Sequence, residues 1–215
     1  MINYNKNSPT SLSLSKYTFE DKYSFDKEGN PINEGAVSFF NPKHIEAIFW
    51  NYSALKEACY GNFYNGNLWY LMEDFDNLVI NALQDKYPLY FDLIVYKIDG
   101  KTNAEIQELL QNTYGMTYTV EYISSLWRKK IPRVVADQAE KEYLIWYYTV
   151  TEKSPWKTCS RCGQKKPAHS KFFSKNRSSG DGWYSLCKDC RNSKSKKNQK
   201  LIEIREKRKE GANGS

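Results

Sequence analysis

From position 41 onward the apolar residues recur at helical spacing; before it they do not. Residues 1–40 are rich in Asn, Ser and Tyr and lack sustained periodicity, which reads as an extended N-terminal arm partly draped on the body. Asn41-Pro42 is a helix-start signal, because proline fits the first turn, where its missing N–H has no intrahelical partner to lose. Ile45, Ile48, Phe49, Tyr52 and Leu55 then fall three or four residues apart, the period of one helical face. Gly61–Gly66 breaks the run. Leu68, Leu71, Met72, Phe75, Leu78, Val79 and Ala82 make a second, cleaner stripe, assigned to core. Pro88 opens a third helix carrying Leu89, Leu93, Ile94 and Ile98.

Gly100 then stops that helix, and Thr102-Asn103 caps the next, Ala104 to about Asn112, with Ile106, Leu109 and Leu110 inward. Tyr114–Tyr118 is a connector. Thr119 caps a helix through about Lys130, with Val120, Ile123 and Trp127 inward. Ile131-Pro132 predicts a break or kink. A last helix from Val134 to about Tyr148 turns Val135, Ala139, Tyr143, Leu144 and Tyr147 inward. The fold class is mainly α: a helical bundle over residues 41–150, followed by a small cysteine-bearing module and a basic helical tail. Within the bundle, residues 89–130 have the order of a helix-turn-helix, the second helix ending in cations.

Charge sharpens this division. Residues 1–152 hold 14 Lys and Arg against 20 Asp and Glu, a net of −6; residues 153–215 hold 18 against 5, a net of +13. An acidic, aromatic-rich body thus carries a strongly basic end, which points to a polyanion such as nucleic acid. The alternative is a merely solubilising tail. No apolar run approaches the roughly 20 residues of a membrane-spanning helix. The first ten residues lack the apolar core of a secretory signal, so a cytoplasmic location is expected. Two His in 215 residues disfavour a His-based triad or a multi-His metal enzyme. No small-molecule substrate is expected.

Four of the five Cys form two pairs, Cys159-Ser-Arg-Cys162 and Cys187-Lys-Asp-Cys190, separated by 24 residues. Two such pairs can close a tetrahedral tetrathiolate shell around one structural Zn²⁺, because the two-residue spacer lets both sulfurs of a pair reach one ion. Gly163 suits a tight knuckle whose N–H groups point at sulfur. Lys171–Lys175 supplies a strand, Ser178–Gly182 a turn, and the second pair sits at a helix start whose dipole favours thiolates. Knuckle, hairpin and ligands on a helix start make a treble-clef zinc finger over residues 156–192. Disulfides or a redox pair are the alternatives; the lack of a signal sequence and of a βαβ context disfavours them. Four thiolates leave no open position, so the ion is read as structural and no residue is assigned a catalytic role. Cys59 reads as a buried apolar residue, and His169 as surplus to a shell already filled. Residues 156–200 bury too little apolar area to fold without the ion.

Three resemblances follow from these residues. Cys159-Ser160-Arg161-Cys162-Gly163, Lys171-Phe172-Phe173 and Asp181–Cys190 resemble the treble-clef modules beside HNH-type and recombination-endonuclease-like phage proteins. No His follows His169, so the Asp/Asn-His-His set of an HNH nuclease is lacking, and the likeness implies a fold that binds without cutting. Gly100–Ile106 followed by Val120–Lys130 resembles the C-terminal DNA-binding region of sigma factors, in which a short Gly-Xaa-Ser/Thr-Xaa-Xaa-Glu-Ile stretch precedes a recognition helix. Here the Thr113–Thr119 connector is longer than the family's tight turn, which would re-aim the second helix. Residues 41–191, about 70% of the chain, are similar to phage-encoded sigma-factor-like proteins through Lys130-Ile131-Pro132, Leu144–Tyr148 and Trp156-Lys157-Thr158-Cys159.

The sigma-like resemblance implies a transcription regulator on double-stranded DNA, with RNA polymerase as a candidate partner. Glu121, Tyr122, Ser124, Ser125, Arg128 and Lys129 would form the face that reads the groove, small serines allowing close approach and Arg128 meeting a guanine edge or a phosphate. Arg161, Lys165, Lys166, Lys175, Arg177, Lys188 and Arg191 in the module, and Lys194, Lys196 and Lys197 in the tail (193–215), would grip phosphates. A generic helical bundle with a charged surface is the bland reading of the same residues. Another is a non-enzymatic RNA polymerase accessory subunit or DNA-packaging adaptor, with the zinc module as a protein-binding knob. A nuclease would need Glu73, Asp74 and Asp76 as metal ligands; their place on an amphipathic helix reads better as a solvated face.

Overall fold

The computed structural model describes residues 37–60 and 66–192, with positions 199, 201, 203, 204 and 207 beyond them. The expected arm up to residue 36, the Gly61–Asn65 break and most of the basic tail lie outside the described residues. The chain divides into two compact units, Met1–Asp137 and Gln138–Ser215.

In the first unit, α1 (Pro42–Trp50) begins as its sequence dictates: the Asn41 side chain accepts from the Lys43 amide at 2.9 Å. The single helix expected from Ile45 to Leu55 is two. Asn51 ends α1 by turning its side-chain amide back onto the Ala47 carbonyl at 2.8 Å, the local competition for backbone partners that makes Asn a helix stop. α2 (Tyr52–Tyr60) follows and buries Leu55 and Cys59, the latter as expected. α3 (Gly66–Leu83) buries all seven residues of the predicted stripe. Phe75 is its centre, with Phe49 and Phe39 rings at 5.1 and 5.7 Å. On its other face Asp76 meets Lys56 at 2.6 Å and the Tyr52 hydroxyl at 2.9 Å, and Glu73 meets Lys56 at 3.8 Å.

α4 (Pro88–Ile98) buries Leu89, Leu93 and Ile94. Gly100 takes a positive φ of 78°, and Thr102 caps α5 (Asn103–Tyr114) in a reciprocal box: its hydroxyl accepts from the Glu105 amide, and the Glu105 carboxylate accepts from the Thr102 amide at 2.7 Å. α5 runs two residues past its expected end, because Tyr114 is buried and its hydroxyl reaches Asp92. Gly115, at φ 64°, is the left-handed cap.

α6 (Val120–Ser125) starts on Thr119, whose hydroxyl accepts from the Tyr122 amide at 3.2 Å. The expected break at Ile131-Pro132 is instead a π-helical segment, Leu126–Lys130, continuous with α7 (Ile131–Val150). Proline has no N–H for the Arg128 carbonyl and its ring crowds that oxygen, so the backbone widens ahead of it: the Ile131 amide donates to Leu126, five residues back. The widening also turns Leu126 and Trp127 inward together with Ile123, while Val120, expected inside, is exposed.

The second unit takes the chain from Gln138 in α7. There Ala139 and Tyr148 are buried, whereas Tyr143, Leu144 and Tyr147, expected inside, are half-buried. β1 (Trp156–Thr158) and β2 (Lys165–Pro167) pair antiparallel, Lys157 opposite Lys166. β3 (Phe173–Lys175) and β4 (Trp183–Cys187) form a second hairpin, Phe173 opposite Cys187, with an irregular register. α8 (Lys188–Asn192) closes it. Cys159, Phe172, Phe173 and Cys187 form the small core, with Leu144, Trp183, Leu186 and Cys190 against it. No helix among the described residues is long and apolar enough to cross a membrane.

Candidate metal centre and nucleic-acid face

Each cysteine pair is presented by a tight local structure. Cys159 and Cys162 occupy the turn between β1 and β2, closed by bonds from the Gly163 amide to the Cys159 carbonyl and from the Cys159 amide to the Gln164 carbonyl, both 3.0 Å. Gly163, at φ 67°, makes that turn with a conformation other residues adopt at a cost. Cys187 ends β4 and Cys190 lies one turn into α8. The four sulfurs lie within 4.8 Å of one another, and all five cysteines of the chain are free thiols. A tetrahedral ion with bonds of about 2.3 Å would hold its sulfurs about 3.8 Å apart, so the cluster fits such an ion with small adjustment.

The electrostatics fit as well. Burial opposes ionisation of Cys159, yet amides of Cys162, Cys187 and Arg161 bring its thiol down to about 6. The Cys187 amide reaches Cys159 Sγ at 3.3 Å, and the Cys190 amide reaches Cys187 Sγ at 3.4 Å. Burial and the neighbouring sulfurs push Cys190 up to about 12. This donor set could hold a metal ion. His169 does not join it; its Nδ1 accepts from the Lys171 amide at 3.2 Å.

Around the sulfurs lies a shell that the sequence reading missed. Lys166, its side chain 11% exposed, points inward at Asp189 (3.1 Å) and at Cys187 Sγ (3.7 Å). Lys141 of α7 meets the other Asp189 oxygen at 3.1 Å. Burial of Asp189 favours its neutral form, but these two ammonium groups hold it below the usual carboxylate range. The one available signal was the acid inside the Cys187–Cys190 spacer, whose actual partners lie 23 and 48 residues away in sequence.

The other expected phosphate contacts divide. Arg161, Lys165, Lys175, Arg177 and Arg191 are exposed and Lys188 is half-buried. Arg161 donates to the Cys190 carbonyl at 2.8 Å, and Arg191 donates to the Ser174 hydroxyl at 3.0 Å while lying 5.2 Å from the Tyr184 ring. Lys194, Lys196 and Lys197 lie outside the described residues.

In the first unit, α6 and the π segment expose Glu121, Tyr122, Ser125 and Lys129 on the side away from Ile123, Leu126 and Trp127; Ser124 and Arg128 are half-buried. Arg128 Nε bonds Glu46 Oε1 at 3.3 Å, so its guanidinium is tied to α1. Glu46 was not singled out, because a single acid among apolar residues of an amphipathic helix gives no sign that it faces inward. No protein-family model matches the chain, and comparison with curated proteins and with solved structures found no match.

Proposed function

We propose that this chain is a non-enzymatic, sigma-like DNA-binding transcription regulator. Cys159, Cys162, Cys187 and Cys190 hold one Zn²⁺ in a treble-clef finger, the exposed Arg161, Lys165, Lys175 and Arg177 and the cations of residues 193–215 grip phosphates, and α5 with α6 forms a helix-turn-helix. The observation that carries this reading is the convergence of four sulfurs, from a knuckle and a hairpin–helix junction, inside a segment of net charge +13. The open side of α6 supports the second part. When bound, the ion supplies cross-linking between the two cysteine pairs and no chemistry on a substrate.

The test is a gel retardation series on promoter-bearing duplexes at low salt, with zinc measured by mass spectrometry. One zinc per chain and sequence-dependent retardation are expected. Binding that ignores sequence and survives Lys129→Ala removes groove reading; metal-free folded protein removes the finger. A protein-docking adaptor is a second reading, favoured by the exposure of Ile145 (39%), Trp146 (56%) and Val150 (60%) on α7. Co-elution with purified RNA polymerase that Trp146→Ala abolishes, without DNA affinity, would select it.

A further inference from the structure

Two stacked tyrosine pairs adjoin one ammonium group in the helical unit. Tyr87 and Tyr90, at the start of α4, have ring centroids 5.5 Å apart and planes 13° from parallel. Tyr118 and Tyr122, on the connector and α6, are 5.3 Å apart at 19°. Lys130 Nζ lies 5.9 Å from the centroid of the Tyr90 ring. Lys130 belongs to the π segment that packs against α4 and continues α6, so the two pairs flank one region.

This patch is not core. Tyr122 is 41% exposed, Lys129 and Lys130 are exposed, and the other three tyrosines are half-buried. Rings held parallel in pairs are already oriented, so a third flat group can stack with little further loss of side-chain freedom. The charge is that of an anion's partner: Lys129 and Lys130 are exposed cations, and Glu121 is the one acid of residues 120–130. Aromatic faces beside cations suit a nucleic-acid strand, the backbone meeting the ammonium groups and the bases meeting the rings. A duplex does not offer this fit, because its base faces are covered by their neighbours and only edges line its grooves.

We propose that Tyr87, Tyr90, Tyr118, Tyr122 and Lys130 form a binding surface for single-stranded nucleic acid, with unstacked bases on the tyrosine rings and phosphates at Lys129 and Lys130. The proposal rests on the reading of α6 as a nucleic-acid face and adds a single strand, taken on the tyrosine side, to the duplex contact proposed above. The full-length, zinc-loaded protein is titrated by fluorescence anisotropy against labelled oligo(dT), oligo(U), an abasic oligomer of equal length and a duplex. Oligo(dT) or oligo(U) should bind at least as tightly as the duplex, whichever is preferred showing whether DNA or RNA is the natural strand. The abasic oligomer and the Tyr122→Ala protein should each be weaker by about tenfold, Tyr122→Phe should bind as wild type, and Lys130→Gln should lose salt-dependent affinity.

The proposal is overturned if no single strand binds, if the abasic oligomer binds equally, or if folded Tyr122→Ala and Lys130→Gln proteins both bind oligo(dT) as wild type does. Circular dichroism establishes folding, and Lys130, being exposed, provides a variant that spares the core. Intact duplex retardation alongside any of these results overturns this surface alone. Loss of duplex and single-strand binding together overturns the DNA-binding function itself.

Discussion

Glu46 is 1% exposed, and two cations hold it: Lys43 Nζ at 3.0 Å and Arg128 Nε at 3.3 Å. A carboxylate taken out of water depends on such partners, and removing one leaves the other charge short of compensation. Arg128→Ala should therefore destabilise the helical unit by about 1–2 kcal/mol, below the roughly 3–5 kcal/mol of a fully buried pair, because the arginine itself is partly solvated and Lys43 remains. Urea denaturation followed by tryptophan fluorescence measures this, since Trp127 and Trp50 report the same neighbourhood with ring centroids 4.5 Å apart. Adding Glu46→Gln should recover part of the loss; if the two changes add independently, the pair does not couple α1 to the π segment. It follows that weaker DNA binding by Arg128→Ala would not by itself identify a base contact. Lys129, exposed and next in sequence, separates the two roles: Lys129→Ala should weaken duplex binding with an unchanged denaturation midpoint.

The connector Gly115–Thr119 decides how α6 leaves α5, and Gly115 is its pivot. No atom lies within 4 Å of a Cβ built at Gly115, so a side chain there meets no obstacle and the cost of replacing glycine is conformational. Gly115→Ala should lower the stability of the helical unit by about 1 kcal/mol and Gly115→Asn by less, because Asn tolerates the left-handed region. Equal midpoints for glycine and alanine in urea would count against the left-handed cap. The elements that were legible in the sequence are those whose signals are local. Asn41-Pro42, Pro88, Gly100-Lys-Thr102 and Thr119 each act within a few residues, and the α3 stripe needs only its own period. The departures arise from distance or from competition between neighbours. Pro132 reads as a break, yet buried Leu126, Trp127 and Ile131 before it and Val135 after it favour one continuous helix, and a π segment satisfies both. Val120 fits the helical period but sits in the first turn of α6, before the packed face begins. In the candidate metal centre, the spacing of four cysteines was sufficient to pick out the residues whose sulfurs converge. Lys141 and Lys166, which flank Asp189 from 48 and 23 residues away, could not be found without the fold.

At the scale of the whole chain, the two units differ in what holds them together. The first has a hydrocarbon core around Phe75, Leu83, Leu93, Ile106 and Ile123. Around the candidate centre the second has, among the described residues, a buried cluster of only Cys159, Phe172, Phe173 and Cys187, so an ion bound there should supply most of that module's folding free energy. Chelation should then raise amide exchange at Gly163, Cys187 and Cys190 while Leu71–Phe75 remain protected; protection of both sets in metal-free protein would show that the finger folds unaided. The cations follow a different logic. Lys166 is taken up by Asp189, whereas residues 193–215 add 8 Lys and Arg against 3 Asp and Glu. If that stretch works by displacing counterions from DNA, each phosphate contact steepens the dependence of log affinity on log salt by about 0.9. A chain ending at Asn192 should accordingly keep one zinc, keep its preference between duplex sequences, and lose about three units of slope, with the affinity gap closing as salt rises. An unchanged slope would assign the phosphate contacts to Arg161, Lys165, Lys175 and Arg177 on the finger. A lost sequence preference would mean that the tail helps to read bases, which cations without a groove-fitting element are not equipped to do.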